Sequence, residues 1–252
     1  MGFEHIFYDF LMLWIGIAIV VFISLFYRNA PYGRFVNSSS KLTLPSKLGW
    51  VLMESPTVII IIFFLIWFYD ELGLVETILT LIWLSHYSHR TLIWPFRARL
   101  EGKIMTLSVM LMALIFNLVN ATLQCLWIFT LSNYNPEWIL SPVFLSGLVL
   151  FYVGMFINIK SDNILMRLRQ DEGKGYHIPN GFLYKYLSCP NYFGEIIEWM
   201  GWALLTMSPA GLAFFIWTFA NLVPRARSNH QWSKSNIPSY PKNRKAVFPF
   251  IY

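Results

Sequence analysis

Seven apolar runs, joined by connections that carry basic residues only at every second one, constrain this chain more than anything else in it. The runs lie near 6–27, 48–69, 73–95, 104–131, 141–161, 192–207 and 210–224. About 20 apolar residues rising ~1.5 Å each cover the hydrocarbon of a bilayer, so the first five runs are long enough to cross it as helices. The last two are shorter and are divided at Ser208-Pro209-Ala210-Gly211, a turn sequence. Lipid satisfies no backbone N–H or C=O, and each run therefore has to close its own hydrogen bonds as a helix. The expectation is an all-α, polytopic membrane protein with seven transmembrane helices. A composition of 56% hydrophobic and 13% charged residues excludes an ordinary soluble domain.

The basic residues set the orientation. Arg28, Arg34, Lys41 and Lys47 follow the first run; Arg90, Arg97, Arg99 and Lys103 close the third; Lys160, Arg167, Arg169, Lys174 and Lys185 follow the fifth. Arg225, Arg227, Lys234, Lys242, Arg244 and Lys245 follow the seventh and complete the 19. Asp70, Glu71, Glu76 and Glu137 sit on the other connections. By the positive-inside rule the N-terminus lies outside and the C-terminus in the cytoplasm. A net charge of +6 is thereby gathered on one face, where it attracts anionic lipid or an anionic cofactor; neither a nucleic acid nor an obligate protein partner is implied. The first run leads into Arg28-Asn-Ala-Pro-Tyr-Gly-Arg34 without a small-residue cleavage site, and is expected to be retained as a span.

Ionisable residues inside such runs mark function by default. Asn191 to Trp199 reads N-Y-F-G-E-I-I-E-W, which puts Asn191, Glu195 and Glu198 on one helical face. Glu54 lies seven residues in from Lys47, about 10 Å from the cytoplasmic end of its run. Tyr87 lies eight residues before Pro95, roughly 12 Å deep on the third run, and shares a face with Trp83, Arg90 and Trp94. Asn158 and Asp162, four apart, close the fifth run on one face. Four helices thus bring polar groups to one layer in the cytoplasmic third, while the outer halves read as apolar. The expected site is a pocket open to the cytoplasm and to lipid, in a multi-pass protein.

Each residue also has a plainer reading. Glu54 could serve helix packing, and His86, His89 and Arg90 could form a wet helix end. Cys125 and Cys189 have no metal-ligand spacing, and no His-Glu-x-x-His occurs, so no metal is expected. Gly173-Lys174-Gly175 follows a helix and lacks a third spaced glycine, so it is no dinucleotide fingerprint.

Ile157-Asn158-Ile-Lys-Ser-Asp162, Tyr176-His177-Ile-Pro179-Asn-Gly181, Asn191-Tyr-Phe-Gly194-Glu195-Ile-Ile-Glu198-Trp199 and the tail Tyr240-Pro241-x-x-Arg244 to Phe250 together resemble steroid 5-alpha-reductases. Pro31-Tyr32-Gly33-Arg34, Trp50-x-x-x-Glu54-x-Pro56 and His86-Tyr87-x-x-Arg90-Thr91 match in the N-terminal half, so the resemblance runs from residue 31 onward. It implies NADPH-dependent reduction of the 4,5 double bond of a 3-oxo-4-ene steroid within a single membrane-embedded domain, residues 1–252. Spans one to four would form mainly the substrate side and residues 156–252 the cofactor side. Tyr87 and Glu54 would be catalytic, a protonated Glu54 and the Tyr87 hydroxyl donating to the substrate carbonyl, with Trp50 and Trp83 beside the substrate. Asn158, Asp162, Arg169, Tyr176, Asn191, Glu195, Arg225, Arg90 and Arg97 would contact NADPH, and the clustered guanidinium groups independently suit phosphate. The last proton could come from Tyr87 or from water. One departure stands out: the family's His-x-aromatic-Tyr run reads His230-Gln231-Trp232-Ser233 here. Reduction of another sterol or polyprenoid enone, a methyltransferase of the isoprenylcysteine carboxyl type, and a non-enzymatic lipid carrier are the alternatives.

Overall fold

The structure is a computed structural model that describes residues 2–31, 35, 42–171, 175 and 177–252. Each apolar run is helical over most of its length. Helix α1 spans Phe3–Tyr27, α2 Ser46–Trp67 and α3 Leu74–Ser88, which passes through a π-helical turn, His89–Ile93, into the short α4, Trp94–Arg97. Helix α5 spans Leu107–Leu126 and ends in a second π turn, Trp127–Leu131; α6 spans Pro142–Asp171, α7 Pro190–Thr206 and α8 Pro209–Asn236. Among the described residues, Phe3–Tyr27, Ser46–Trp67, Leu107–Leu131 and Pro142–Asp171 are long and apolar enough to cross a membrane. The apolar window of α1 is only 11% buried within the protein. The rest of its aliphatic surface would meet water in a soluble protein, and lipid is the solvent that removes this cost. The chain is a helical membrane protein.

The helix boundaries follow local chemistry. Pro95 has no N–H to give an α-helical partner, and the third run relaxes into the π turn one residue earlier, where Trp94 N–H reaches back five residues to the His89 carbonyl. Pro190 and Pro209 open their helices, where a missing N–H costs nothing. Ser208 caps α8 by accepting the Gly211 N–H at 2.8 Å. The polar stretch after residue 224 continues α8 through Pro224 to Asn236, beyond the end of the apolar run. Asn163 to Arg169 likewise forms the end of α6.

One short strand pair accompanies the helices. Strands β1 (Thr43–Pro45) and β2 (Ile104–Thr106) pair antiparallel, with Leu44 opposite Met105. At three residues each, one ending in proline, they carry no readable alternation. Ser46 N–H bonds the Lys103 carbonyl and Leu107 N–H the Leu42 carbonyl, so the ladder fastens the first turns of α2 and α5 together.

The chain divides into two compact units, Pro31–Phe144 and a second made of Met1–Ala30 with Leu145–Tyr252. In the first, α5 packs along α2, and Trp50, Met53, Met105 and Met110 form a core cluster. In the second, α1 packs on α8: Trp217 Nε1–H donates to the Trp14 carbonyl at 3.1 Å and their rings lie 4.7 Å apart. Helix α1 therefore lies in the same compact unit as α7 and α8.

Helices α6 and α7 touch backbone to backbone. A Cβ on Gly194 would lie 2.6 Å from Asn158 N, and one on Gly201 would lie 2.5 Å from Phe151 N. Gly154 meets the Glu198 backbone in the same way. Glycines seven apart on each helix, 147 and 154 against 194 and 201, give this approach, and it is what brings Asn158 up to the start of α7.

Candidate active site

In the unit Pro31–Phe144 the polar centre is Glu54, 8% exposed on α2. Pro56 deprives the Leu52 carbonyl of its helical donor, and Ser55 Oγ–H supplies one at 3.0 Å; Thr57 Oγ1–H bonds the Glu54 carbonyl at 2.6 Å. The helix thus stays intact around the acid. From α5, Asn117 Nδ2–H reaches both the Met53 carbonyl at 2.7 Å and Glu54 Oε2 at 3.2 Å. Arg90 Nε lies 4.0 Å from Glu54 Oε1. Its guanidinium is held against two rings, 4.8 Å from Trp50 and 5.1 Å from Trp94, which lie 4.4 Å from each other. The π turn that Pro95 imposes carries Arg90, so the same local chemistry that ends the helix delivers the cation.

Tyr87 is 3% exposed, with its ring 4.6 Å from that of Trp83. Trp83 is fully buried, and its Nε1–H donates to the Thr57 carbonyl at 2.9 Å. That bond fixes the register of α3 against α2, which run antiparallel across a short connection. Tyr87 is four residues on from Trp83 and Glu54 three residues back from Thr57, so acid and phenol differ in height by only ~1.5 Å. Their common level, expected from sequence, follows from this bond. Trp83 contributes by setting the register and backing Tyr87; Trp50 contributes by flanking Arg90.

In the other unit, Asn158 Nδ2–H donates to the Asn191 carbonyl at 3.1 Å and to Glu195 Oε1 at 3.0 Å, and Asn191 Nδ2–H donates to Asp162 Oδ1 at 3.1 Å. These four expected cofactor residues form one network across the α6–α7 glycine contact. Glu198 is completely buried, and its backbone lies against Gly154 of α6. Tyr184, held above its usual value by burial and then by Asp162, stays protonated and reaches the Ser161 carbonyl at 3.4 Å. Arg225 stacks on Tyr192 at 5.6 Å and bonds Asn221 Oδ1 at 3.2 Å. Arg169 and Arg97 are exposed at helix ends, and Tyr176 lies outside the described residues.

Sequence reasoning overlooked three features. Asn117, Asn120 and Gln124 form a buried polar stripe on α5, which corrects the reading of that run as apolar beyond the level of Glu54. Their spacing of three and four was the available signal. Arg244, 4% exposed, donates through Nη2 to the Pro179 carbonyl at 2.9 Å and Asn180 Oδ1 at 3.0 Å, fastening the loop before α7 to the tail. Its Nε and Nη1 are buried with no hydrogen-bond partner among the described residues. Third, Tyr240 O–H donates to Ser188 Oγ at 2.6 Å, and Ser188 Oγ lies 2.6 Å from His230 Nδ1.

Ser188 Oγ accepts the Tyr240 proton and keeps its own proton and a second lone pair, so it pairs with His230 Nδ1 in either tautomer. Burial, then Lys234 and Lys245, hold His230 below its ordinary value of 6.5. Because the folded value is the lower one, this stabilisation is complete above 6.5 and is lost as pH falls through the folded value. Each ~1 kcal/mol lost in this way lowers the melting temperature by about 2–4 °C across that window. Thermal melts against pH check it, and His230→Gln should flatten the drop.

A helical membrane protein with a buried acid and phenol at one level in one unit, and an amide-carboxylate network in the other, narrows the class. The sequence model of the 3-oxo-5-alpha-steroid 4-dehydrogenase family matches residues 103–252. The chain is 41% identical to a protein of Solanum lycopersicum named steroid 5-alpha-reductase DET2, over 99% of this chain and 98% of that one. It is 36% identical to 3-oxo-5-alpha-steroid 4-dehydrogenase 1 of Bos taurus over 94% and 93%, and 38% identical to the Homo sapiens protein of that name over 89% and 87%. The chain belongs to the steroid 5-alpha-reductase, or 3-oxo-5-alpha-steroid 4-dehydrogenase, family.

Proposed function

We propose that the protein reduces the 4,5 double bond of 3-oxo-4-ene steroids with NADPH, in a seven-span arrangement with the C-terminus and the mouth of the site on the cytoplasmic side. The observation that carries the reading is the Glu54 carboxyl, buried at the level of Tyr87 and held by Asn117 and Arg90. Such a carboxyl and phenol suit a carbonyl oxygen on which charge develops during the reaction. Family membership and relatives named for this chemistry supply the substrate class.

The residues present fit an anionic dinucleotide. Arg244 Nε and Nη1 are buried without hydrogen-bond partners among the described residues, Arg225 lies on Tyr192, and the Asn158–Asp162–Asn191–Glu195 network offers amide and carboxylate groups to ribose hydroxyls and a carboxamide. When bound, NADPH supplies a hydride to the carbon beta to the ketone. Tyr87 O–H donates to the 3-oxo oxygen as charge gathers there. Glu54, when protonated, adds a second donor, and the site's apolar helices exclude water. The alpha carbon then takes a proton.

Purified protein supplied with NADPH and testosterone or progesterone should consume the cofactor in step with formation of the saturated 3-ketone; no saturated ketone from any such substrate overturns the steroid assignment. Asn191→Ala and Asp162→Ala should each weaken NADPH binding about tenfold or more, the loss expected for a charge-assisted hydrogen bond, while turnover at saturating cofactor changes less. Unchanged cofactor affinity in fluorescence titrations would contradict that division of roles.

A further inference from the structure

Helix α5 supplies none of the residues expected to touch substrate or cofactor, yet it presents three buried amides. Asn117 is the one that touches the reactive acid. Its carboxamide spans two points of α2 at once, the Met53 carbonyl at 2.7 Å and Glu54 Oε2 at 3.2 Å. It is 6% exposed, and Glu54 is 8% exposed. A carboxyl on a two-carbon stem has three side-chain torsions to fix, and burial alone does not choose among their rotamers. Arg90, at 4.0 Å from Oε1, lies beyond hydrogen-bond distance and attracts without setting an angle. The amide supplies a directed bond. An N–H donor at Oε2 makes that oxygen the acceptor, so an acid proton on Glu54 resides on Oε1.

We propose that Asn117 is a positioning residue for Glu54: through its two-point bond to Met53 and Glu54 it fixes the plane of the carboxyl and assigns Oε2 as acceptor and Oε1 as the oxygen that serves the substrate carbonyl. The inference rests on the reductase reading for its catalytic part, but the geometric part stands without it. Asn117 itself touches no substrate in this account and acts through Glu54. The backbone carbonyl matters as much as the carboxyl, because it anchors the amide to the same helix turn that bears the acid. Asn120, one turn further along α5, and Gln124, which donates to Asn120 Oδ1 at 3.4 Å, continue the stripe without reaching Glu54.

Asn117→Leu keeps the heavy-atom count and the branching at Cγ, with bulkier methyl groups, and removes both bonds. A misplacement of the acid by ~1 Å corresponds to a loss in kcat of up to about 100-fold, with NADPH affinity unchanged. The decisive experiment is a double-mutant cycle with Glu54→Gln, read as kcat. If Asn117 acts only through Glu54, Asn117→Leu lowers kcat when Glu54 is present and has little further effect in the Glu54→Gln variant; equal losses in both backgrounds would show a general packing role and overturn the proposal. Asn117→Ser, which is smaller, replaces the leucine variant should that one not fold. A second readout is independent of turnover. The infrared difference between the protein and its Glu54→Gln variant isolates the Glu54 carboxyl band, which should shift when Asn117 is replaced. An unmoved band contradicts the hydrogen bond even if the protein proves to reduce no steroid, whereas a shifted band with no turnover overturns the functional reading alone.

Discussion

Glu54→Ala and Tyr87→Phe should each lower turnover of a 3-oxo-4-ene steroid by about 10²- to 10³-fold, the cost of deleting one donor aimed at developing oxyanion charge. Trp83 bonds the Thr57 carbonyl, which sets α3 against α2 and brings phenol and acid to one height. Both groups are nearly inaccessible, so a hydrogen bond made there is not diluted by water. Removing the Tyr87 hydroxyl leaves its ring packed on Trp83. Removing the Glu54 carboxyl leaves Asn117 and Arg90 without the group that lies between them, and some stability is lost as well. Glu54→Gln separates the two effects by restoring a hydrogen-bonding group of equal size. Cofactor affinity, measured by fluorescence titration in the same variants, should move by less than about threefold, far below the loss in rate, since these residues are assigned to the transition state. Parallel losses of rate and cofactor affinity would mean that Glu54 and Tyr87 hold the fold.

Gly194→Ala should disable the protein by a different route. The added methyl would sit 2.6 Å from Asn158 N and 2.7 Å from the Gly154 carbonyl oxygen, both backbone atoms that cannot rotate aside. The helices must separate, and overpacking of this kind costs about 1–3 kcal/mol. Separation also pulls Asn158 from Glu195 and from the Asn191 carbonyl, which bond it at 3.0 and 3.1 Å. NADPH affinity should fall at least about tenfold together with stability, because two hydrogen bonds are lost. Gly201→Ala makes an equally close backbone clash at Phe151 two turns away. It should destabilise to a similar degree while sparing more of the cofactor affinity. Equal affinity loss in the two variants would detach the glycine contact from the cofactor network.

The sequence displayed the apolar runs, the basic clusters and the acids within them because each of these is a local property. Register is not local, and the parts that escaped reading depend on it. The Trp83 to Thr57 bond links positions 26 apart, and nothing in either run names the partner. Asn117 is one amide in an apolar stretch, and its partners on α2, Met53 and Glu54, lie more than sixty positions away in the chain. The strand pair at 43–45 and 104–106 exists because two helix starts lie side by side, not because six residues favour strands. Arg90 read as a helix-end cation or a phosphate ligand; its actual neighbours, Glu54 and two tryptophans, come from the π turn that Pro95 forces. The α6–α7 network, by contrast, was nearly complete in sequence, since Asn158 with Asp162 and Asn191 with Glu195 each lie four apart on one helical face.

The central claim is that this protein delivers a hydride from NADPH to the beta carbon of an enone. Reaction with NADPH deuterated at the transferable position of the nicotinamide, followed by mass spectrometry and NMR of the product, tests it directly. The account predicts one deuterium at carbon 5 of the saturated 3-oxo steroid and a proton from solvent at carbon 4. Deuterium at any other carbon, or a product carrying none, would contradict it.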